Sequence, residues 1–413
     1  MIVVENKKLN IVFENMRNKN FVRHLIQVAV VVSLVVSCSL PTLAKDIPSS
    51  GKLAARLQHF VDENIMAGAV MLVADKDKIL DIETVGYSDL ATKKPIKPND
   101  IFWIASMSKA ITSAALMMLV DEGKVKLDDP VEKYIPEIKN VKVLDTNGVL
   151  VEPTHPIIIR EILSHTSGMR FLNTMDNQII DAVPLEESIM HNLKDPLIFQ
   201  PGTDYRYSNE GIDTAGLIIQ RVSGMPYEKF LKKRIFDPLG MKDTTFTPSP
   251  SQLKRLAKSY KTTPKGLEEV PVTQLKQPLG GKGHYPSPAG GLFSTAIDCA
   301  HFCQMLASGG TYKGKRYLSE EAVKTMTSKQ TPDSVKENYG FGLSVGNGYF
   351  GHGGAYKTNM GVDRGQIRIF MVQQANKWAH GDPYADFVDE AKKDFPVQQW
   401  TISFTAYLSH SNN

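Results

Sequence analysis

The chain has 413 residues, of which 42% are hydrophobic and 22% charged, as in a folded soluble protein rather than a disordered or fibrous one. Its formal net charge of +4 falls to +1 when residues 1–44 are set aside, because those hold five basic and two acidic residues. A chain without a basic excess lacks the electrostatic footprint of a nucleic-acid-binding protein, so we predict no nucleic-acid partner.

An export signal is predicted at the N-terminus. Basic residues precede an apolar run (25–40), which is short for a bilayer span, and small residues follow it. Cleavage after Ala44 would make residues 1–44 a signal peptide and the protein periplasmic or extracellular. Two alternatives stay open. The run could be an uncleaved anchor, or VVSC (35–38) could be a lipoprotein signal whose Cys38 carries a lipid that attaches the protein to a membrane.

A β-hairpin and a helix are the first predicted elements of the folded part. MAGAVMLVADKDKILDIETVGYSD (66–89) contains two β-rich runs joined by the turn-like DKDK. FWIASMSKAIT (102–112) then opens a helix that is predicted to end at Gly123, a residue suited to a left-handed cap. The apolar positions of this helix follow the i, i+3, i+4, i+7, i+8 pattern at Ile111, Ala114, Ala115, Met118 and Leu119.

The middle of the chain is predicted to consist of helices and loops. PIIIREILSHTSG and SNEGIDTAGLIIQRVSG are predicted helices that end at Gly168 and Gly224. Residues 243–290 are rich in Pro, Gly, Thr and Ser and are predicted to be long loops. Cys299 and Cys303 lie four apart in the next helical pattern, where a disulfide is sterically awkward, so both are predicted to be core residues.

Strand-like runs return near the C-terminus, in YGFGLSVG, TNMGVD and QIRIFMVQ, before a predicted helix in DPYADFVDEAKKDF. Strands from both chain ends should form one antiparallel sheet flanked by helices, an α+β fold with an inserted, mainly helical lobe. Within a domain of residues 45–395, we predict an α/β lobe at about 45–110 and 285–395 and a helical lobe at about 111–284. Residues 396–413 form a tail of unknown role. The cleft between the lobes is the expected site.

Ser106 and Lys109 have a spacing used by serine hydrolases in which lysine acts as the base. A serine hydroxyl is a weak nucleophile, and a lysine three residues on in a helix can reach it. The helix N-terminus favours a developing alkoxide on the serine, and burial would lower the pKa of the lysine. Ser49 and Ser251 begin the same spacing, but only Ser106 opens a strongly apolar helix.

Two further motifs carry chemistry. In YSN, Tyr207 would pass a proton to the leaving group and Asn209 would hold a substrate carbonyl. The alternative is that Ser208 or Asn209 caps the following helix and Tyr207 is a core residue. In GHGG, glycines would let a substrate approach the backbone and His352 would lie at the cleft wall. The alternative there is a glycine-rich turn with an incidental histidine.

In this order, the three motifs resemble those of class C beta-lactamase-like serine hydrolases, a family that includes carboxylesterases and D-alanyl-D-alanine peptidases. ILSHTSGM, PGTDYRYSNEG, FDPLGMKDT and AGGLFSTAIDCAHF also look like the family, and the resemblance spans about residues 55–395. It implies a beta-lactamase/transpeptidase-like fold and an acyl-enzyme on Ser106, with Lys109 and Tyr207 sharing the proton transfers. It also implies an oxyanion hole formed by the N–H groups of Ser106 and Ala355.

The sequence departs from the family pattern at one motif, and this difference affects the expected substrate. Penicillin-hydrolysing members have Lys-Thr-Gly where this chain has HGG, and a histidine that is mostly neutral attracts a carboxylate less well. We therefore predict an exported serine hydrolase that acts on a small ester, an amide or a peptidoglycan-derived substrate, with esterase or peptidase action favoured over beta-lactamase activity. The alternative is a non-catalytic, penicillin-recognising or peptidoglycan-binding envelope protein.

The remaining predictions concern ligands and structural residues. No metal-ligand spacing or phosphate loop occurs, so no metal or cofactor is predicted. His165 is expected to help fix the end of a helix rather than to act in the site. The predicted substrate-binding residues are Asn209, His352, Gly353, Gly354 and Ala355.

Overall fold

The computed structural model of the protein describes residues 48–172 and 179–396. The predicted signal peptide with Cys38, and residues 397–413 of the predicted tail, lie outside the described residues. Within the described ranges, none of the helices has the length and apolar character needed to cross a bilayer.

The described chain contains both α-helices and strands, with helices prevailing in its middle part. The α-helices are α1 Lys52–Asp62, α2 Ser108–Asp121, α3 Ile159–Ser164, α4 Leu185–Asn192, α5 Asn209–Ser223, α6 Tyr227–Leu231, α7 Asp237–Leu239, α8 Pro250–Leu253, α9 Ala296–Ala307, α10 Glu320–Met326 and α11 Pro383–Asp394. The strands are β1 Gly68–Ala74, β2 Ile79–Asp89, β3 Lys94–Pro95, β4 Phe102–Trp103, β5 Val143–Leu144, β6 Leu150–Val151, β7 Ser259–Thr263, β8 Gly266–Val270, β9 Phe293–Ser294, β10 Thr311–Tyr312, β11 Lys315–Arg316, β12 Ser344–Gly346, β13 Tyr349–Gly353, β14 Asn359–Asp363 and β15 Gln366–Met371. Tight 3₁₀-helical turns cover Ala105–Met107, Val131–Lys133 and Pro136–Asn140, and Lys232–Phe236 forms a wider π-helical turn.

A seven-stranded antiparallel sheet joins the two ends of the chain, in the order β12–β13–β14–β15–β1–β2–β3. Strand β1 lies beside β15, with Val70 opposite Met371, and forms the predicted hairpin with β2. Every residue of β1 is buried, as expected for a central strand that is covered on both faces. The predicted α+β fold with an antiparallel sheet is therefore confirmed.

The alternation of side chains along β1 divides the core into two layers. Val70 and Leu72 belong to the large core that continues into the helices of the middle of the chain. Met71 and Val73 belong to a smaller core under α1 and α11, where Phe370 and Phe387 stack with ring centroids 5.7 Å apart. Helix α9 packs on the large-core face against β1, β14 and β15.

Helix α5 organises the helical part, because α2, α3, α4 and α6 all pack against it. Its N-cap is Ser208, whose Oγ accepts a hydrogen bond from the N–H of Gly211 at 3.0 Å, and it ends at Gly224 with φ of 67°. Helix α2 is buried from Ser108 through Leu119 and ends before Gly123, whose φ is 69°. Both helix ends agree with the sequence predictions.

Three local predictions were wrong. YGFGLSVG is a strand only over Ser344–Gly346, and its earlier residues are irregular. Helix α3 ends at Ser164 rather than near Gly168, because His165 takes the left-handed conformation with φ of 63° and accepts a hydrogen bond from the N–H of Ser208 at 3.2 Å. The predicted loop of residues 243–290 contains α8 and the β7–β8 hairpin. This hairpin is held by bonds from Tyr260 N to Gln373 O and from Ala375 N to Tyr260 O, which local composition does not reveal.

Candidate active site

Ser106 lies in the tight turn that leads directly into α2. The residue before it, Ala105, has φ of 46°, a conformation that a residue other than glycine rarely adopts. The hydroxyl of Ser108 donates a hydrogen bond to the carbonyl oxygen of Ala105 at 2.6 Å and so holds this turn. The turn places the Ser106 side chain on a cavity wall at the N-terminus of a 14-residue helix.

Lys109 is fully buried behind Ser106. Its Nζ lies 2.7 Å from Asn209 Oδ1, 2.7 Å from the carbonyl oxygen of Ala289 and 3.2 Å from Ser106 Oγ. The first two atoms can only accept hydrogen bonds. A neutral amine therefore uses both of its N–H groups on them, and its lone pair is left for Ser106 Oγ. This is the arrangement that a general base requires.

The electrostatics keep Lys109 close to that neutral form. Burial lowers the pKa of Lys109 to about 7, and the charge of Asp213 partly opposes this effect. Asp213 accepts a hydrogen bond from the N–H of Ala289 at 2.9 Å, and desolvation raises its own pKa to about 6. Asp213 was not among the sequence predictions. The sequence did contain a signal for it, because Asp213 lies four residues after Asn209 and therefore on the same face of the helix.

Tyr207 brings its hydroxyl to the other side of the site. Its oxygen lies 3.3 Å from His352 Nε2, and Lys109 Nζ lies 4.7 Å from its ring centroid. Burial raises the pKa of Tyr207 well above its ordinary value, against an opposing hydrogen bond with Ser106. The phenol therefore keeps its proton at neutral pH and is suited to donate it.

His352 lies near the end of β13 as a neutral imidazole. Its Nδ1 lies 2.7 Å from the carbonyl oxygen of Gly353, so Nδ1 carries the hydrogen and Nε2 is an acceptor. Burial and the nearby charge of Lys109 lower the pKa of His352 to about 4. The position that would attract an anion is therefore uncharged at neutral pH.

The glycines after His352 allow the end of β13 to approach the Ser106 turn. A Cβ on Gly354 would overlap Thr358 Oγ1 and would lie 2.7 Å from the carbonyl oxygen of Ile104. A Cβ on Gly353 would meet nothing closer than 3.4 Å. The next residue is Ala355, and its N–H donates no hydrogen bond to any acceptor in the described part of the chain.

These residues surround a cavity of about 350 Å³, within the range of small-molecule sites. The lining that the structure describes contains no charged side chain, because His352 is neutral. The sequence predictions missed the apolar wall, whose members come from distant parts of the chain. The lining residues are Trp103, Ala105, Ser106, Phe171, Ile180, Tyr207, Asn209, Gln274, Ala289, Gly290, His352, Gly353, Gly354 and Ala355.

Every predicted substrate-binding residue lies on this cavity, and Lys109 lies directly behind it. Asn209 has a second role, because its Oδ1 accepts a hydrogen bond from Lys109. His165 is buried at the end of α3 and does not belong to the lining. Tyr339 was not singled out, yet its hydroxyl lies 3.0 Å from His352 Nε2.

The fold and this site together define a serine hydrolase built on the beta-lactamase fold. The chain matches the Beta-lactamase family over residues 53–391, and it therefore belongs to that family.

Three known proteins are similar to this chain. Protein Rv1367c of Mycobacterium tuberculosis is 33% identical over 360 residues, which cover 81% of this chain and 87% of that protein. Esterase EstB of Burkholderia gladioli is 26% identical over 280 residues, which cover 60% of this chain and 69% of that protein. The solved structure of EstCE1, a hydrolase with promiscuous acyltransferase activity, has a TM-score of 0.70 at 23% identity and covers 83% of this chain and 97% of that one.

Proposed function

We propose that the protein hydrolyses small, uncharged esters or amides through an acyl-enzyme on Ser106. The observation that carries this proposal is the geometry of Lys109, whose two N–H groups are held by carbonyl oxygens while its lone pair is left for Ser106 Oγ. The similarity to an esterase of Burkholderia gladioli supports an ester as the substrate.

In the first half of the reaction, Ser106 Oγ bonds to the substrate carbonyl carbon and its proton moves to Lys109 Nζ. The negative charge that develops on the carbonyl oxygen is stabilised by the N–H groups of Ser106 and Ala355. When the tetrahedral species collapses, the leaving group takes the proton of the Tyr207 hydroxyl, and Lys109 returns a proton to Tyr207. Water then attacks the acyl carbon and gives a proton to Lys109. The bond between the acyl carbon and Ser106 Oγ breaks, Lys109 returns this proton to Oγ, and the acid is released.

The uncharged cavity supports a neutral substrate. A carboxylate placed beside the scissile bond would lose its hydration without gaining a cationic partner in the lining that the structure describes. A neutral His352 cannot replace that partner. This reasoning disfavours penicillins, which carry such a carboxylate, and favours short esters.

The test compares p-nitrophenyl acetate hydrolysis by the wild type and by Ser106→Ala, with Ser251→Ala as the matched control because Ser251 has the same spacing to a lysine. We expect Ser106→Ala to lose roughly three orders of magnitude or more in kcat and Ser251→Ala to keep the wild-type rate. Equal rates in all three proteins would refute the proposal. A stable fluorescent-penicillin adduct without ester turnover would favour a penicillin-recognising protein instead.

We also propose that the protein is exported and that residues 1–44 are its signal peptide, on the strength of the basic residues and the apolar run that follows them. N-terminal sequencing and mass spectrometry of the protein from the cell envelope test this. A mature chain that begins at Lys45 supports cleavage after Ala44, and a lipid-bearing N-terminal Cys38 supports a lipoprotein. A full-length chain in the cytoplasm would contradict export.

A further inference from the structure

Two tyrosine hydroxyls face one acceptor in this site. The Nδ1 of His352 donates to Gly353 O, so only the lone pair of Nε2 remains available. The hydroxyl of Tyr339 lies 3.0 Å from Nε2 and that of Tyr207 lies 3.3 Å from it. A single lone pair accepts one good hydrogen bond, so the two phenols compete for it.

The choice between them matters for the reaction. A Tyr207 hydroxyl that donates to His352 points its proton away from Ser106 and from a leaving group. A Tyr207 hydroxyl that is free of His352 can direct its proton toward them. The partner of His352 therefore decides whether Tyr207 is oriented for proton donation.

We propose that Tyr339 is a positioning residue that occupies His352 Nε2 and thereby keeps the Tyr207 hydroxyl directed at the reacting atoms. This inference rests on the proposed function of Ser106, Lys109 and Tyr207. Tyr339 itself does not line the cavity, so it acts through the two side chains that do.

Tyr339 is well placed for this role. It is only 3% exposed, and His352 Nε2 is the hydrogen-bond partner of its hydroxyl among the described residues. Its carbonyl oxygen accepts a bond from Gln330 N at 2.8 Å, and the chain on either side is held by bonds from Val345 N to Asn338 O at 3.1 Å and from Phe341 N to Met326 O at 3.0 Å.

The aromatic packing also fixes the ring. Tyr339 meets the His352 ring edge-on with centroids 6.1 Å apart and meets the Tyr207 ring edge-on at 6.4 Å. His165 packs on it at 4.7 Å. Because the ring and the backbone are both held, the Tyr339 hydroxyl has little freedom to leave His352.

The first experiment measures Tyr339→Phe against Tyr260→Phe. Tyr260 is a matched control, because it is also 3% exposed and its hydroxyl has a partner far from the cavity, the N–H of Leu90 at 2.8 Å. We expect Tyr339→Phe to lower kcat for ethyl acetate about tenfold with KM nearly unchanged, and Tyr260→Phe to leave both unchanged. Thermal unfolding of both variants verifies that they are folded.

The leaving group separates positioning from a general structural effect. p-Nitrophenolate leaves without a proton, whereas the ethoxide of ethyl acetate needs one. We therefore expect the loss caused by Tyr339→Phe to be larger on ethyl acetate than on p-nitrophenyl acetate. An equal loss on the two esters would overturn the proposal.

A double-mutant cycle with His352→Leu completes the test. Leucine cannot accept a hydrogen bond, so in that background the Tyr207 hydroxyl cannot donate to residue 352. Adding Tyr339→Phe should therefore cause no further loss of kcat. A full, additive loss in both backgrounds would contradict the inference.

If Ser106→Ala is inactive while Tyr339→Phe behaves like Tyr260→Phe, the role of Tyr339 is refuted and the proposed function stands. If Ser106→Ala is active, the proposed function itself fails.

Discussion

The proton on Lys109 is the single-residue feature on which the proposed chemistry depends most. Lysine in water is protonated at neutral pH and is no base, but burial lowers the pKa of Lys109 to about 7. Tyr207 has the opposite shift, since burial raises its pKa well above the ordinary value. The two shifts agree with the proposed roles of Lys109 as the base and Tyr207 as the proton donor.

The first prediction is a pH profile. Lys109 must be deprotonated to act, so kcat/KM for p-nitrophenyl acetate should rise with pH and level off above a pKa of about 7. His352, with a pKa of about 4, should not contribute to this limb. The charge of Asp213 raises the pKa of Lys109, so Asp213→Asn should shift the limb to lower pH. Asp128→Asn, at an exposed position, is the control, and an unmoved limb in Asp213→Asn would contradict the assignment.

A second prediction compares neighbouring glycines. Gly354→Ala should push β13 away from the Ser106 turn, because the added Cβ would overlap Thr358 Oγ1 and crowd the Ile104 carbonyl. We expect a loss of about 1–3 kcal/mol in the free energy of unfolding, together with a lower kcat. Gly353→Ala has room for the added methyl group within the protein and should keep the wild-type free energy of unfolding. Chemical denaturation and ester hydrolysis of both variants measure this, and equal behaviour would show that the close approach is unimportant.

At the scale of secondary-structure elements, strong local patterns were readable from the sequence. The apolar periodicity and terminal glycines of α2 and α5 predicted these helices, and two β-rich runs joined by a turn-like segment predicted the β1–β2 hairpin. The β7–β8 hairpin was missed, because its partner is Gln373 on a distant segment and its own residues are largely polar. His165 ended α3 early through a bond from Ser208, which is also a tertiary effect.

The attachment of α1 to β2 gives an element-scale prediction. Ser50 Oγ lies 2.6 Å from Asp81 Oδ2 and 2.9 Å from Glu83 Oε1, and both carboxyl groups are buried. One hydroxyl proton cannot serve two carboxylates, so the pair is best satisfied when it holds an extra proton. Desolvation, helped by Glu83, raises the pKa of Asp81 to about 6.

A raised pKa means that the folded state favours the protonated carboxyl, so this stabilisation is present at low pH and is lost as the pH rises through about 6. Asp81→Asn, which needs no proton, should therefore gain stability relative to wild type between pH 5 and pH 8, by an amount of order 1 kcal/mol. Urea denaturation at several pH values measures the difference. Asp89→Asn on the same strand should show no such gain, because hydrogen bonds led by that from Thr92 lower the pKa of Asp89. A pH-independent difference for Asp81→Asn would contradict the shared proton.

At the scale of the whole molecule, the site is assembled from segments that lie far apart in sequence. Motif order predicted that Ser106, Tyr207 and His352 meet, and the structure brings them together. The rest of the site depends on long-range packing. Asp213 acts on Lys109 through space, and Tyr339 reaches His352 from an irregular segment that was predicted as a strand. Such contacts cannot be predicted from the spacing of residues along the chain.

The sheet provides the frame for this assembly. Because β1 lies between β2 and β15, the two ends of the described chain are closed into one sheet. The end of β13, which belongs to this sheet, approaches the turn before α2, as the short distance from Gly354 to the Ile104 carbonyl shows. The sheet and this turn therefore line the same cavity.

The most direct measurement is mass spectrometry of the protein after acid quenching during p-nitrophenyl acetate turnover. The account predicts an added acetyl group on the peptide that contains Ser106 in the wild type, and none on that peptide in Ser106→Ala. Continued hydrolysis with no acetylated peptide, or with the acetyl group on another residue, would contradict it.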